Sequence, residues 1–264
     1  MSKPSLGLLP SADVVVKVDA GVCIITLNRV EKKNAINVAM YAAMADAITA
    51  AAGAPDIRVV LFLGHEEIFC AGNDLGDFLA PPATGIDPPA FRFLRELSCF
   101  PKPLVAAVCG RAVGIGATML LHIDLICAGE NAEFSMPFVG LGLCAEAGSS
   151  LLAPQLFGHQ RASALLLAGD SLTAQEALQI GLVSKVVPAC EAASYALGLA
   201  RKVSAKPLSA VMETKRLMKR AQQAALLEQM AEEERSIRRM LLEPAAREAI
   251  ASFAERRKPD LGRM

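Results

Sequence analysis

The chain of 264 residues carries 27 basic and 27 acidic side chains, so its net charge is zero, and 53% of its residues are apolar. Zero net charge argues against a nucleic-acid-binding surface, and the apolar content is typical of a globular chain with a large core. Every long apolar run is interrupted by polar residues before it reaches eighteen, so we expect no membrane span.

The cysteines and histidines point away from disulfide and metal chemistry. Seven cysteines are scattered without a Cys-x-x-Cys pair, which favours a reduced, cytoplasmic protein. The first residues lack the apolar core of a signal peptide, and the last three are not a peroxisomal address. The dispersed His65, His122 and His159 have no metal-ligand spacing, so we expect no bound metal.

Short apolar runs bounded by glycine, proline or polar residues predict buried strands in the first two thirds of the chain. They lie at 13–19, 22–27, 59–63, 104–108, 124–128 and 182–187. The first two form a predicted hairpin that turns at Ala20-Gly21. Helical periodicity predicts helices at 36–52, 91–100, 148–156, 160–167 and 174–180, with another starting at 118. Residues 81–89, which hold two Pro-Pro pairs, are predicted to form a loop.

From residue 191 onward the pattern is helical throughout. The predicted helices are 192–203, 207–221, 226–239 and 243–256. Strands that alternate with helices, followed by helices alone, predict an α/β core with an α-helical C-terminal module. Apolar residues on the last helices predict faces that one chain does not cover, which favours an oligomer. These residues are Met230, Ile237, Met240 and Leu241.

Two glycine-containing turns are candidate donor sites. Residues 110–118 place a glycine-rich turn between a buried strand and an apolar helix. Glycines let the backbone approach a ligand, and the free N–H groups at a helix start favour negative charge. Residues 71–74, Ala-Gly-Asn-Asp, form a second strand-to-helix turn. Its alternative interpretation is an ordinary helix start with Asp74 as the N-cap.

Glu146 is the single acid in the otherwise apolar, glycine-lined segment 140–148. It is interpreted either as an acid of the first helical turn or as a base working beside the donor turns. Residues 140–145 also match a dinucleotide-binding pattern loosely, but the Glu146 carboxylate follows directly and would repel an anion. Donors and one acid within fifty residues favour carbanion chemistry, and the absence of Gly-x-Ser-x-Gly disfavours a serine hydrolase.

Several motifs lie in a fixed order along the chain. They are Asn-Arg-Val-Glu-Lys-Lys-Asn-Ala at 28–35, Phe-Cys-Ala-Gly-Asn-Asp at 69–74, Gly-Arg-Ala-Val-Gly-Ile-Gly at 110–116, the segment 169–183 and the basic tail 253–259. Together they resemble the crotonase family, the enoyl-CoA hydratases and isomerases. The resemblance covers about residues 13 to 259 and is more specific than any one motif.

The resemblance implies an α/β spiral core of ββα units at 1–190 that binds acyl-CoA, and a helical module at 191–264 that assembles a homotrimer or a dimer of trimers. CoA would enter as part of the thioester substrate, with no separate cofactor. The thioester oxygen would accept hydrogen bonds from the backbone N–H groups of Asn73 and Ile115. The Ile115 side chain, where the family often has glycine, is expected to narrow the pocket. The residues implied to bind CoA are Lys33, Ala35, Ile36, Ala71, Asp74, Phe253 and Lys258.

The departures from the family pattern bear on the reaction. Hydratases of the family carry two glutamates, and those positions hold Thr118 and Phe138 here, neither of which can activate water by proton transfer. Glu146 lies where Δ3,Δ2-enoyl-CoA isomerases of the family carry their single catalytic glutamate. Apolar neighbours, Phe138, Val139 and Leu143, are expected to exclude water and raise the basicity of Glu146.

Three functions stay open at this point. The first is an enoyl-CoA isomerase of fatty-acid or carboxylic-acid catabolism, with Glu146, Asn73 and Ile115 as the catalytic residues. The second is a hydratase or another acyl-CoA enzyme of the family. The third is a non-catalytic acyl-CoA-binding protein. The acyl group cannot be read from the sequence.

Overall fold

The structure is a computed structural model that describes residues 11–79, 88–255 and 257–260. The predicted loop at 81–89 lies almost entirely outside the described residues. Ten strands in the described part of the chain form two sheets.

The larger sheet has six strands. They are β1 (Val14–Asp19), β2 (Val22–Leu27), β3 (Val59–Leu63), β5 (Leu104–Val108), β7 (Leu125–Gly129) and β10 (Lys185–Val187), in the order β1-β2-β3-β5-β7-β10. The β1-β2 pair is the predicted antiparallel hairpin, and all other neighbours are parallel. Its turn residues Ala20 and Gly21 have φ of 47° and 80°, the left-handed conformation that a tight hairpin turn requires.

The smaller sheet has four short strands. They are β4 (Ile68–Cys70), β6 (Arg111–Val113), β8 (Glu133–Ser135) and β9 (Ser171–Thr173), in the order β4-β6-β8-β9. The β4-β6 and β6-β8 pairs are parallel, and β8-β9 is antiparallel. Three times the chain runs through one strand of the larger sheet, then one of the smaller sheet, then helical residues. This succession is the predicted ββα repeat.

Most helices begin and end close to the predicted positions. They are α1 (Val38–Gly53), α2 (Leu75–Leu79), α3 (Pro89–Cys99), α4 (Ile115–Thr118), α5 (Ser149–Phe157), α6 (His159–Ser163), α7 (Ala174–Gln179), α8 (Ala192–Ser204), α9 (Leu208–Arg220), α10 (Gln223–Met240) and α11 (Pro244–Ala254). The Asn37 side chain caps α1 by accepting the Met40 N–H at 2.8 Å. Among the described residues, no helix is both long and apolar enough to cross a membrane.

The larger sheet is covered on both faces. Alternate residues of β3 point to opposite sides, so Val60 and Phe62 join the main apolar cluster while Val59 and Leu61 join a second one. The second cluster is closed by α8 through three alanines spaced one turn apart, Ala192, Ala196 and Ala200, all fully buried. Small side chains let α8 lie close to the sheet. The division of the chain at residue 190 stays a prediction.

Several elements differ from the sequence prediction. The strands β6 and β8 were not predicted, because Arg111–Val113 lies within the predicted glycine-rich turn and the three residues Glu133–Ser135 contain a single apolar side chain. The helix predicted to start at 118 is instead the four-residue α4 ending there, followed by a 3-10 turn at Met119–His122. The strand β9 was missed because its three residues contain no apolar run. The strand predicted at 182–187 begins only at Lys185, because the N–H groups of Leu182 and Val183 turn back to the Ala177 carbonyl at 2.9 and 3.2 Å.

The apolar faces of the last helices are covered within the chain, contrary to the sequence prediction. Met230 and Ile237 are buried, and Met240 and Leu241 pack against the main cluster. Helical periodicity correctly marked these faces as apolar but could not say what covers them. The large apolar residues that remain exposed on α9 are Leu217 and Met218.

Gly110, between β5 and β6, lets the chain cross from one sheet to the other. Its φ is 61°, and a Cβ placed on it would lie 1.9 Å from the backbone carbonyl oxygen of Glu67. We predict that Gly110→Ala lowers the free energy of unfolding by about 3 kcal/mol or more, from overpacking and left-handed strain. Urea unfolding measures this change.

Gly53→Ala is the matched control. Gly53 ends α1 and has open space around its Cα, so an alanine there is expected to be neutral or to stabilise by up to about 1 kcal/mol. Equal effects of the two substitutions would contradict the steric account of Gly110.

Candidate active site

The first donor turn joins β4 to α2. Gly72 has φ of 101°, and its carbonyl accepts the Ile36 N–H at 2.8 Å. The Asp74 N–H donates to the Ile36 carbonyl at 2.9 Å, which completes a short parallel bridge. Because N–H groups alternate in direction along an extended chain, the Asn73 N–H points away from Ile36. The bridge therefore fixes the direction of this candidate donor.

The second donor turn joins β6 to α4. The Gly114 N–H donates to the Ser135 carbonyl at 2.9 Å, and φ of Gly114 is 55°. Ile115 is the first residue of α4, so its N–H has no acceptor within the helix. A Cβ on Gly114 would lie 3.9 Å from the Gly72 Cα, so the two turns adjoin each other. The structure thus brings the two predicted donor turns together.

The predicted CoA-binding residues of two distant segments lie side by side. The Ala71 N–H donates to the Lys33 carbonyl at 3.0 Å, next to the Ile36 bridge. Residues 33–36 therefore run along residues 71–74. The Ile36 side chain is buried, and both of its backbone groups are bonded within the bridge. Ile36 therefore shapes this surface rather than presenting a side chain to it.

A buried amide anchors this surface to the core. The Asn34 side chain is fully buried, accepts the Arg29 N–H at 2.8 Å and donates to the Phe69 carbonyl of β4 at 3.1 Å. Arg29 also binds Asp74 at 2.6 Å, and this hydrogen bond lowers the pKa of Asp74. Asp74 Oδ1 accepts the Gly76 N–H at 3.0 Å, as a capping residue would.

Glu146 lies in the loop before α5, three residues ahead of the helix, and not in its first turn. Its side chain is buried, and Oε1 has no hydrogen-bond partner. Burial, and next the negative charge of Glu233, raise the pKa of Glu146 to about 7, while a hydrogen bond from the Asn73 side chain lowers it. Glu146 therefore changes protonation state near neutral pH.

Tyr41 extends this hydrogen-bonded chain and was not among the predicted site residues. Its hydroxyl donates to Asn73 Oδ1, and its ring is buried against Phe93. Because Asn73 Oδ1 is occupied by Tyr41, the Asn73 amide nitrogen is left to donate to Glu146. The sequence analysis predicted the helix that carries Tyr41 but did not single out this residue; its hydroxyl, in an otherwise alanine-rich helix, was the available signal.

Two residues on either side hold the Glu146 segment. His122 Nε2 lies 2.8 Å from the Ala147 carbonyl and donates to it. Burial lowers the pKa of His122 to about 4, so the ring is neutral at physiological pH. On the other side, Glu233 of α10 accepts the Gly148 N–H at 2.5 Å. Neither His122 nor Glu233 was a sequence candidate.

A cavity of about 210 Å³ lies beside Glu146, between α3 and α10. Its walls are mostly apolar, with charged side chains of both signs among them. They are Phe91, Leu94, Arg95, Glu146, Ala147, Leu227, Met230, Ala231, Glu233 and Glu234. The arrangement offers a mostly apolar compartment in which one of three carboxyl groups, that of Glu146, is hydrogen-bonded to Asn73 of the first donor turn.

The tail residues Phe253 and Lys258 are both exposed. Phe253 lies on α11, which packs against α2, the helix that follows Asp74. The structure thereby brings α11 to the side of the molecule that carries the first donor turn.

Two expectations about side chains near Glu146 are wrong. Val139 is 40% exposed, so it does not shield Glu146, whereas Phe138 and Leu143 are buried as expected. The Ile115 side chain is fully buried in the main apolar cluster and does not line the cavity. It therefore leaves the cavity width unchanged, because α4 turns it toward the core.

The whole-chain comparison agrees with this geometry. Residues 17–263 match the model of a family described as enoyl-CoA hydratase/isomerase. The chain belongs to this family. It is therefore an acyl-CoA enzyme of the hydratase/isomerase type, with the crotonase fold.

Named relatives in the hydratase/isomerase family differ in the reaction that they catalyse. The chain is 33% identical to the 2,3-dehydroadipyl-CoA hydratase of Escherichia coli K12, covering 94% of this chain and 98% of that one. It is also 33% identical to enoyl-CoA delta isomerase 2 of Rattus norvegicus, covering 95% and 65% respectively. A crystal structure of an enoyl-CoA hydratase/isomerase from Pseudoalteromonas atlantica T6c has a TM-score of 0.91 and 37% identity, covering 94% of this chain and 99% of that one.

The raised pKa of Glu146 makes the stability depend on pH. The folded-state pKa of about 7 lies above the ordinary value of 4.5, so the folded state holds the proton more tightly. This stabilisation is complete below about pH 4.5 and is lost as pH rises through 7. Glu146→Gln cannot titrate, so its stability relative to the wild type should increase by about 3 kcal/mol between pH 4.5 and 8.

Urea unfolding of both proteins at pH 5 and pH 8 measures this difference. Glu234→Gln is the control, because Glu234 is ion-paired with Arg238 on the same wall of the cavity. If Glu146→Gln changes the free energy of unfolding equally at both pH values, the result would contradict a raised pKa for the buried Glu146 carboxyl group.

Proposed function

We propose that the chain is an enoyl-CoA isomerase that moves a double bond from C3 to C2 of an acyl-CoA thioester. The observation that carries the proposal is Glu146: one buried carboxyl group with a pKa of about 7, facing an apolar cavity beside two adjoining donor turns. Such a group is ionised often enough near neutral pH to accept a proton and basic enough to hold it.

The Glu146 carboxylate removes the C2 proton of a 3-enoyl-CoA. The C2–H electron pair passes into the conjugated system, and negative charge develops on the thioester oxygen. The N–H groups of Asn73 and Ile115 stabilise that charge, each by about 3–4 kcal/mol. The same carboxyl group then returns the proton to C4, which leaves the double bond between C2 and C3. Proton removal and return are balanced, so the proposal includes no cofactor beyond the CoA of the substrate.

Isomerisation suits this site better than hydration. Thr118 and Phe138 stand where hydratases of the family carry glutamates, and both are buried without an ionisable group. The name of the Escherichia coli relative would favour hydration. Glu233 is a second acid beside the cavity, but both of its carboxylate oxygens already accept hydrogen bonds from the 148–150 segment. Glu146 is thus the acid with an unpartnered oxygen.

The CoA moiety would lie along residues 33–36 and 71–74, where Lys33, Ala35, Ala71 and Asp74 form one surface.

The seven cysteines are unpaired, which supports the proposed reducing, cytoplasmic location.

Glu146→Gln is predicted to keep acyl-CoA affinity and to lower isomerisation of 3-enoyl-CoA by about 10²–10⁴-fold, because the amide matches the carboxyl in size but accepts no proton. Exchange of the C2 proton with solvent should fall equally. Absorbance of the 2-enoyl thioester and deuterium exchange measure the two steps, and calorimetry measures the affinity.

Thr118→Ala and Phe138→Leu are the controls, and each should lower the isomerisation rate much less. A Glu146→Gln enzyme with wild-type isomerisation would exclude the mechanism. Faster addition of water to 2-enoyl-CoA than isomerisation by the wild type would favour the hydratase. Tight binding of every thioester without turnover would favour the non-catalytic alternative.

We also propose that the enzyme assembles as a homotrimer or a dimer of trimers. The support comes from exposed apolar side chains on two helices, Leu217 and Met218 of α9 and Leu156 of α5, which are 54%, 73% and 47% exposed. Covering such residues with a second chain is favourable.

Light scattering is predicted to give a mass of three or six chains. Substitution of Met218 by Lys should lower that mass, because it places a charge on the apolar surface. A wild-type monomer at micromolar concentration would contradict the assembly.

A further inference from the structure

Glu233 is a buried acid to which the reaction assigns no role. It lies on α10 and is 5% exposed. Its Oε2 accepts the Gly148 N–H at 2.5 Å, and its Oε1 accepts the Ser150 N–H at 3.0 Å and the Ser150 hydroxyl. One carboxylate therefore takes three hydrogen bonds from the segment that begins with Glu146, and all three are bonds that an ionised acid accepts.

The bonded segment has a backbone that needs external support. Ala147 and Gly148 have φ of 63° and 69°, so two successive residues are left-handed, and one of them has a side chain. His122 fixes the Ala147 carbonyl from one side, and Glu233 fixes the next N–H from the other. These two contacts set the direction in which the Glu146 side chain leaves the backbone.

Glu233 also acts on Glu146 through its charge. Both side chains line the same cavity, in which there is little water to screen them. The titratable groups that face Glu146 come from several elements: Tyr41 of α1, Cys70 of β4, Arg95 of α3, Cys144 of its own loop, and Glu233 and Glu234 of α10. Of these, Glu233 is the charge that raises the pKa of Glu146.

We propose that Glu233 is a positioning residue for Glu146: it holds the 146–150 segment through Gly148 and Ser150 and keeps a second negative charge beside the base. The inference rests on the proposed function of Glu146 as the base. It assigns to α10 a role in proton transfer, in addition to its role as a wall of the cavity.

The test compares three variants by the pH dependence of kcat/KM for a 3-enoyl-CoA. Glu233→Gln removes the charge and keeps the size, and Glu233→Asp keeps the charge and shortens the side chain. Glu232→Gln is the control, because Glu232 precedes Glu233 in the chain, is exposed and forms an ion pair with Arg235. The acidic limb of the kcat/KM profile reports the pKa of the catalytic base in the free enzyme. A residue with a purely structural role would not move that limb.

Glu233→Gln is expected to shift the acidic limb to lower pH, because removing a neighbouring negative charge lowers the pKa of Glu146. Above neutral pH its kcat should fall about 10–100-fold, since the base is weaker and less well held, with KM changed much less. Glu233→Asp should lose kcat similarly but keep the wild-type limb. Glu232→Gln should change neither kcat nor the acidic limb.

An unshifted limb together with wild-type kcat in Glu233→Gln would overturn the proposal. If Glu233→Gln does not fold, Glu233→Asp decides instead: a lower kcat with a wild-type KM supports positioning, because a general disruption of the cavity would change KM as well, and a wild-type kcat refutes it. If Glu146 is not the base, Glu146→Gln will be active, and that result rejects the proposed function itself. An inactive Glu146→Gln with an unaffected Glu233→Gln rejects only the role of Glu233.

Discussion

The removal of the Glu146 carboxyl group from water is the constraint that the rest of the site serves. An ionised carboxylate is unfavourable away from water unless polar groups partner it, so burial favours the protonated form. The amide of Asn73 offsets part of that effect, and the remaining oxygen has no partner. The balance leaves a group that both accepts and releases a proton near neutral pH, which is what a shuttle between two carbon atoms needs.

The two-sheet architecture supplies the surroundings of this acid. β4 and β6 are parallel neighbours in the smaller sheet, so their carboxyl ends lie at the same edge. Each strand leads into a helix through a left-handed glycine, Gly72 or Gly114. Gly116 lets α4 approach β4, because a Cβ there would lie 2.7 Å from the Cys70 Cβ. Adjacent strands thus bring the two turns next to each other, which supports the proposed pair of backbone donors.

The sequence predicted features that depend on neighbouring residues, and the family resemblance predicted which of these features belong to one site. The glycine turns at 72 and 114 could be recognised because left-handed backbone favours glycine, and the resemblance brought them together with Glu146. Glu233 could not be recognised, because it stands in a run with Glu232 and Glu234, both of which form ion pairs with arginines of the same helix. Only the fold shows that the middle acid of the three turns inward. Ile237 shows the same limit for apolar residues, since periodicity does not say which surface covers a face.

The placement of Glu233 on α10 has a consequence for how this enzyme could change its substrate range. Leu227, Met230 and Ala231 of the same helix line the cavity, and Leu226 packs against Gly148. Under the proposed function, a substitution on α10 that changes acyl selectivity would also displace the support of Glu146, so that selectivity and rate would change together. The opposite wall, Phe91 and Leu94 of α3, is not independent of α10, because the Arg238 guanidinium of α10 lies 5.2 Å from the centroid of the Phe91 ring. Divergence toward new acyl groups is thus constrained on α10 by the proton transfer that this helix is proposed to support.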